Sequence, residues 1–396
     1  MLIANTRKKR LLSVAKFLIE LFWLPIVRFE KKENLTTIQP KKILMVRLDH
    51  IGDLIMSSAA FTGLRERFPN SEIVLLANTG AKQLFANDPR IDKLLLFNWP
   101  WSFQKENNRF SARKLKELFG VISEIRRQQF DLFIDFRGDL RFVFLFAILT
   151  NIKTRVGNSR SGKTSLLHHV SDYDLSKHEV ERSFDVLECF AITRSEIRPA
   201  IMLDSKEIAI IKELLRKEAD GTFLKTLAVI APYSTQDIKS WPTQYFREVT
   251  AYLVSKDCTV VIAGTTGDAE NARQIIQGLG NDAISLAGQT SLKQLGALLS
   301  IANLVIGVDT GTLHLASCFD IPIIAIFGPT RSVEFRPYSP HTIVVDSSNC
   351  SCNQFLHLQC DCPVSGFAKC MHEAVPGLVL REIDKLIHNQ ILPSRQ

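Results

Sequence analysis

The sequence has no clean membrane span. Its most apolar stretch, LLSVAKFLIELFWLPIVRF at residues 11–29, is broken by Lys16 and Glu20, which leaves it too short and too charged to cross a bilayer. The same two charges interrupt any signal-peptide core, and no small-residue cleavage site follows. The aromatic–glycine and zinc-finger signatures of nucleic-acid modules are missing. The excess of 49 Lys and Arg over 41 Asp and Glu, a net charge of +8, therefore points to anionic lipid head groups or phosphorylated ligands rather than to nucleic acid. No Asp-x-Asp pair stands in a loop suited to holding a metal ion. Compositional bias is also absent: 46% of the 396 residues are apolar and 23% charged, which excludes a disordered or fibrous chain and suits two globular domains.

What is present begins with that N-terminal stretch. Arg7, Lys8, Lys9 and Arg10 precede it, and Arg28, Lys31 and Lys32 close it. As a helix it carries one narrow polar stripe, Ser13, Lys16 and Glu20, until Pro25 ends it. The expectation is a helix lying in an anionic membrane surface, on the cytoplasmic side of the inner membrane; docking on the protein's own core is the alternative. Residues 1–40 form this segment and its linker.

From residue 41 onward, apolar runs of strand length alternate with helical periodicity. KKILMVRL (41–48), EIVLLAN (72–78), KLLLFN (93–98) and FDLFIDF (130–136) read as buried strands, with helical patterns at 54–68 and 114–129. A second series starts at TLAVIAPY (226–233) and runs through CTVVIAG (258–264), NLVIGV (303–308) and IPIIAIFG (321–328). Alternation of this kind implies parallel sheets covered on both faces. The expected fold is α/β with two Rossmann-like domains, 41–215 and 216–345, facing a central cleft, followed by a cysteine-rich tail and helix at 346–396. Ligands of such sheets bind beyond the carboxyl ends of the strands.

Residues 157–164, GNSRSGKT, satisfy the phosphate-loop pattern G-x-x-x-x-G-K-[ST]. A working loop needs a buried strand entering it and a helix leaving it. NIKTRV before it is short and polar, and SLLHHVSDYD after it soon reaches turn-forming residues. The expectation is a basic surface loop; a phosphate-loop NTPase is the alternative. A non-catalytic metal-binding scaffold is a second one.

Three other segments carry chemistry. Gly52 and Asp53 sit where the first strand turns into the first helix; Asp53 reads either as an N-cap or as a base, kept ionised by the helix N-terminus. VIGVDTGTLHLAS (305–317) ends a strand in Asp309-Thr310-Gly311 and begins a helix, an anion site suited to a diphosphate, with His314 one turn further on. PYSTQDIKSWP (232–242) offers the hydroxyls of Ser234 and Thr235 and the charge of Lys239 just past the first strand of the second series.

Taken in order, VRLDHIGD, the K-x-W-P of Lys239–Pro242, DTGTLH and FGPT resemble glycosyltransferase family 9, the ADP-heptose:lipopolysaccharide heptosyltransferase family, over most of residues 41–390. Ala59 departs from it, standing where the family usually has proline. The resemblance implies the GT-B fold, a nucleotide-sugar donor (ADP-heptose favoured), an anionic glycolipid acceptor, and inversion at the anomeric carbon with no required metal. By position, Asp53 resembles the catalytic base. Ser234, Thr235 and Lys239 resemble donor-phosphate contacts, and Asp309, Thr310, Gly311 and His314 the diphosphate-binding turn. An acidic residue after AGTTG, Asp268 or Glu270, faces the donor, with Asp268 taken as the candidate. Arg137 in DFRGD is assigned to the acceptor.

The tail holds Cys350, Cys352, Cys360, Cys362 and Cys370. The first four admit a structural zinc site, although C-x-C is a less typical spacing than C-x-x-C; reduced thiols are the other reading. Cys189, Cys258 and Cys318 read as small core residues.

Overall fold

A computed structural model of the chain describes residues 34–99, 112–162, 164–192, 198–219, 226–347, 363–364 and 367–389. The amphipathic segment at 11–29, Lys163, and Cys350, Cys352, Cys360 and Cys362 lie outside the described residues. The chain divides into two units, Met1–Ile201 and Met202–Gln396.

The first unit is built on a parallel sheet of β1 (Lys42–Arg47), β2 (Glu72–Ala77), β3 (Lys93–Leu96), β4 (Leu132–Asp135), β5 (Thr154–Asn158) and β6 (His169–Ser171), in the order β3-β2-β1-β4-β5-β6. β1 and β4 pair directly, Ile43 with Leu132 through Val46 with Asp135. Their side chains are buried on both faces, which is why they read as unbroken apolar runs. The helices include α1 (Ile51–Ser57), α2 (Ala59–Arg67), α3 (Ala112–Gln128) and α4 (Glu179–Leu187). α4 starts with a capping box: the His178 side chain accepts from Val180 N–H at 3.1 Å, and Glu181 accepts from His178 N–H at 3.1 Å.

The GNSRSGKT segment corrects one expectation. A buried strand does enter it, since all five residues of β5 are buried and Gly157 pairs with Asp135. The polar letters are accommodated because the fully buried Arg155 donates from Nε to the Leu166 carbonyl at 2.6 Å and from Nη1 to that of Ile152 at 2.7 Å. Beyond β5 the chain makes a short turn and enters β6, not a helix. The helix N-terminus that a phosphate loop uses is missing there.

The second unit repeats the plan with β7 (Thr226–Ala231), β8 (Cys258–Ile262), β9 (Ala283–Ser285), β10 (Leu304–Val308), β11 (Ile323–Phe327) and β12 (Thr342–Asp346), ordered β12-β11-β10-β7-β8-β9. Numbered from its own first strand, this is the same order as the first sheet. The dividing point between the units falls before the expected 215. The charge-rich residues ahead of β7 form α5 (Ser205–Glu218), capped by the Asp204 side chain accepting Lys206 N–H at 3.0 Å. Its apolar stripe, Ile211 and Leu215, is buried, and the helix packs beside α7 (Leu292–Ser300), so it belongs to the second unit; α6 (Thr243–Ser255) lies between them in sequence. The C-terminal helix α9 (Pro376–His388) follows α8 (Gly311–Ala316) after β11 and β12 and completes the same core through Val379, Ile383 and Leu386.

Each sheet has one place where the direction of winding reverses: between β1 and β4 in the first unit, and between β7 and β10 in the second. Ligands of doubly wound sheets bind at that point. The segments leaving these four strands carry Asp53, in the first turn of α1, and Arg137, Lys239 and Asp309.

Candidate active site

In the first unit the turn after β1 is organised by Arg47, which is fully buried. Every nitrogen of its guanidinium is engaged. Nε lies 3.0 Å from Asp49 Oδ2, Nη1 donates to the Phe136 carbonyl at 2.8 Å, and Nη2 meets both Glu179 Oε1 at 2.7 Å and Asp53 Oδ1 at 3.4 Å. Burial acts to lower the proton affinity of Arg47, but Glu179 and Asp53 more than offset it and raise its pKa above the ordinary value. Burial would lift the Glu179 pKa; Arg47, Arg182 and Arg160 outweigh it and hold that carboxylate at about 2. Arg182 closes the cluster at 2.8 Å from Glu179 Oε2, with its guanidinium 4.4 Å from the centre of the Tyr173 ring.

Asp53 is not the N-cap. That position belongs to His50, and Asp53 stands two residues inside α1, with its carboxylate on Arg47 and 22% of the side chain exposed. An ionised side chain that is held on one side and open on the other is what a general base requires.

Arg137 lies in the turn after β4 and forms an ion pair with the buried Asp49. Asp49 thus links Arg137 to Arg47. Arg160 and Arg141 stand near enough to repel it, so the turn gathers several cations around few acids. Gly138 makes the turn: its φ is +72°, and a Cβ there would fall 2.8 Å from Asn158 Cγ and 2.9 Å from its carbonyl. Gly138→Ala is expected to cost about 2–4 kcal/mol of stability in urea denaturation.

In the second unit Lys239 ends a short 3₁₀ turn and places Nζ 2.7 Å from Asp309 Oδ2. Asp309 is buried, which by itself would raise its pKa; the charges of Lys239 and His314 and hydrogen bonds from Lys239 and Thr330 lower it instead. Thr310 is the N-cap of α8 without using its side chain for the cap. Thr310 and Gly311 are both half-buried, just past the carboxyl end of β10. His314 is buried in the same turn rather than on the helix surface. Ser234 is half-buried and accepts from Gln236 N–H at 3.3 Å, and Thr235 is exposed in the same loop. Thr330 belongs to FGPT, whose Gly328 lies so close to Cys370 and Met371 that a Cβ would meet Cys370 Sγ at 3.1 Å. Cys370 is thus a packed core thiol.

Asp268 lies beside Tyr233, the neighbour of Ser234: a Cβ on Gly264 would meet both side chains, at 3.0 and 2.9 Å. Its carboxylate accepts from Thr265 N–H at 2.7 Å and Thr265 Oγ1 at 2.6 Å, closing the turn after β8. Glu270 pairs with Arg273 on the surface at 2.7 Å. Among the described residues, no group of three or more His, Cys, Asp or Glu side chains could hold a metal ion.

Sequence reasoning missed Arg47, Asp49, Glu179, Arg182 and the hydroxyl of Thr330. One signal for Arg47 was available: a charge closing a strand buried on both faces must find partners. Glu179 has only local signs, a His-x-x-Glu cap frame, and no sign of its partner 132 residues upstream.

The second-unit cluster, with Arg137 and Glu179 of the first, falls within a recognised family pattern. Residues 119–364, more than half of the chain, match the family model described as glycosyltransferase family 9 (heptosyltransferase). The chain belongs to glycosyltransferase family 9. It is 27% identical over 301 residues to lipopolysaccharide heptosyltransferase 3 of Escherichia coli strain K12, covering 74% of this chain and 84% of that protein. Its fold matches the family 9 glycosyltransferase structure from Veillonella parvula with a TM-score of 0.72, at 21% identity and covering 90% and 99% of the two chains. It also matches E. coli heptosyltransferase WaaC, solved with ADP-2-deoxy-2-fluoro heptose, with a TM-score of 0.64, at 18% identity and covering 87% and 99%. These likenesses give this glycosyltransferase the GT-B fold, and they give no support to an NTPase or a metal-binding scaffold.

Proposed function

We propose that this glycosyltransferase moves a heptose from ADP-heptose to a sugar hydroxyl of a lipopolysaccharide-core or related anionic glycolipid, with inversion and without a required metal. Asp53 takes the proton of the acceptor hydroxyl as that oxygen forms a bond to the anomeric carbon. The bond from that carbon to the diphosphate breaks, and ADP leaves with the electron pair. Lys239 keeps two N–H groups beyond the one on Asp309; together with the hydroxyls of Ser234, Thr235 and Thr310 and the N–H groups at Gly311, it stabilises the charge growing on the leaving diphosphate. Asp309 and His314 set the position of Lys239 and of the turn, Asp268 shapes the loop on the donor side, and Arg137 receives an anionic group of the acceptor.

The partly buried Lys239–Asp309 pair carries this reading. A cation fixed at the switch point of a Rossmann-like sheet, beside the start of a helix, suits a diphosphate. Support for ADP-heptose comes from the named ligand of the WaaC structure, and support for the acceptor from the name of the E. coli relative. A thermal-shift series tests it. ADP-heptose is expected to raise the melting temperature well above the shift given by UDP- or GDP-sugars, since saturation at about a hundred times Kd contributes about 2.7 kcal/mol. No shift with any nucleotide sugar contradicts the reading.

We also assign the protein to the inner face of the cytoplasmic membrane as a peripheral protein. Among the described residues no helix is long and apolar enough to cross a membrane. The basic, apolar residues 7–32 favour surface attachment, as does Phe119 of α3, which is 61% exposed and has Arg113 and Lys116 on the same helix.

A further inference from the structure

We infer that Glu179 is the positioning residue of the reaction, fixing Asp53 through Arg47. The inference rests on Asp53 being the base. Glu179 and Asp53 share one nitrogen, Nη2 of Arg47, at 2.7 Å and 3.4 Å. Asp49 and the Phe136 carbonyl hold the remaining two nitrogens. The guanidinium is therefore held by hydrogen bonds at Nη1 and Nη2 and by the Asp49 carboxylate beside Nε, and the half-buried carboxylate of Asp53 rests against it. Glu179 itself is fixed by Arg182, from Nε at 3.0 Å and Nη2 at 2.8 Å, and that arginine is anchored on the Asp174 carbonyl at 3.0 Å. α4 is locked to α1 by the contact of Ser183 Oγ with Ser57 Oγ at 3.2 Å. The pair joins two elements separated by 132 residues of sequence.

Position is half of the role; charge is the other half. Arg47 alone, one full positive charge against Asp53, opposes transfer of a proton to that carboxylate. Glu179, on the same nitrogen, offsets that charge. Arg182 in turn offsets Glu179. The charged and titratable groups of this cluster are Arg47 at the end of β1, which pairs directly with Asp53, Asp49 and the N-cap His50 in the turn after it, Glu179 and Arg182 from α4, Tyr173 from the preceding turn, and Arg137 and Arg160 from the turns after β4 and β5. When Asp53 takes the proton of the acceptor, Arg47 keeps Glu179 and Asp49 as partners. Arg47 is then not left unpaired inside the fold during turnover.

The charge argument makes two predictions of opposite sign. Transfer is measured across pH with ADP-heptose as donor and core-truncated lipopolysaccharide as acceptor. Glu179→Gln keeps the shape and removes the charge; its kcat at neutral pH is expected to fall about tenfold with KM for ADP-heptose little changed, and the acid limb of its kcat profile to move to lower pH by about half a unit or more. Arg182→Gln leaves Glu179 uncompensated, so its acid limb is expected to move to higher pH. General damage to the fold moves both limbs the same way or neither, and each variant reads the charge role by itself if the other fails to fold. Acid limbs that stay at the native pH in the folded variants overturn the inference. Asp53→Asn assayed beside them separates the two failures. If that variant turns over normally, the base assignment falls; if it is inactive while Glu179→Gln keeps native rate and limb, only the role of Glu179 falls.

Discussion

Asp53→Asn protein is expected to bind ADP-heptose with an affinity within about twofold of native, and to transfer the sugar about a thousandfold more slowly, the range a positioned general base supplies. Asparagine keeps the size of the side chain and can still hydrogen-bond Arg47 through its oxygen. It has no lone pair basic enough to accept the acceptor's proton. The split between binding and turnover is the informative result, because every proposed donor contact belongs to the second unit and Asp53 to the first. Isothermal titration with ADP-heptose and a steady-state assay on the same preparation give both numbers. A native rate in this variant removes Asp53 from the chemistry.

Lys239→Ala is expected to do the reverse: to weaken donor binding and to lower kcat about a hundredfold or more, since the lost charge faces the diphosphate both in the ground state and as it departs. It should also destabilise the second unit, by about 3 kcal/mol, because Asp309 is left buried without its ion-pair partner at 2.7 Å. The two effects separate in the double variant Lys239→Ala/Asp309→Asn. Neutralising the buried acid is expected to restore most of the melting temperature and none of the donor affinity. A double variant that regains donor binding shows that Lys239 serves the fold and not the phosphate.

Much of the fold could be read in advance because parallel strands buried on both faces have to be continuous apolar runs. ILMV in β1, LFI in β4 and VVI in β8 leave little choice. β5 escaped because its burial rests on satisfied polar groups rather than apolar letters: TRVGN is buried around Arg155, whose nitrogens find backbone carbonyls inside the protein; β6, only three residues long and mostly half-buried, offers no apolar run. α5 gives a weak signal in the sequence because only two of its fourteen residues are fully buried, a stripe too thin to stand out among so many charges. The site shows the same divide. Asp53, Lys239, Asp309 and Thr310 lie in short motifs at strand ends, where sequence distance and spatial distance agree. Glu179 acts across a helix–strand contact that no local pattern encodes. Asp268 had the right neighbourhood, yet its carboxylate closes its own turn, an arrangement that depends on hydrogen bonds and not on letter order.

The measurement that bears most directly on the chemistry is the fate of ADP-heptose mixed with native protein and core-truncated lipopolysaccharide, followed by nuclear magnetic resonance of the glycolipid formed. A single displacement primed by Asp53 predicts that ADP appears in step with heptose joined to the glycolipid, and that the new linkage has the anomeric configuration opposite to the donor's. Retention of configuration, or ADP release that the acceptor does not accelerate, contradicts it.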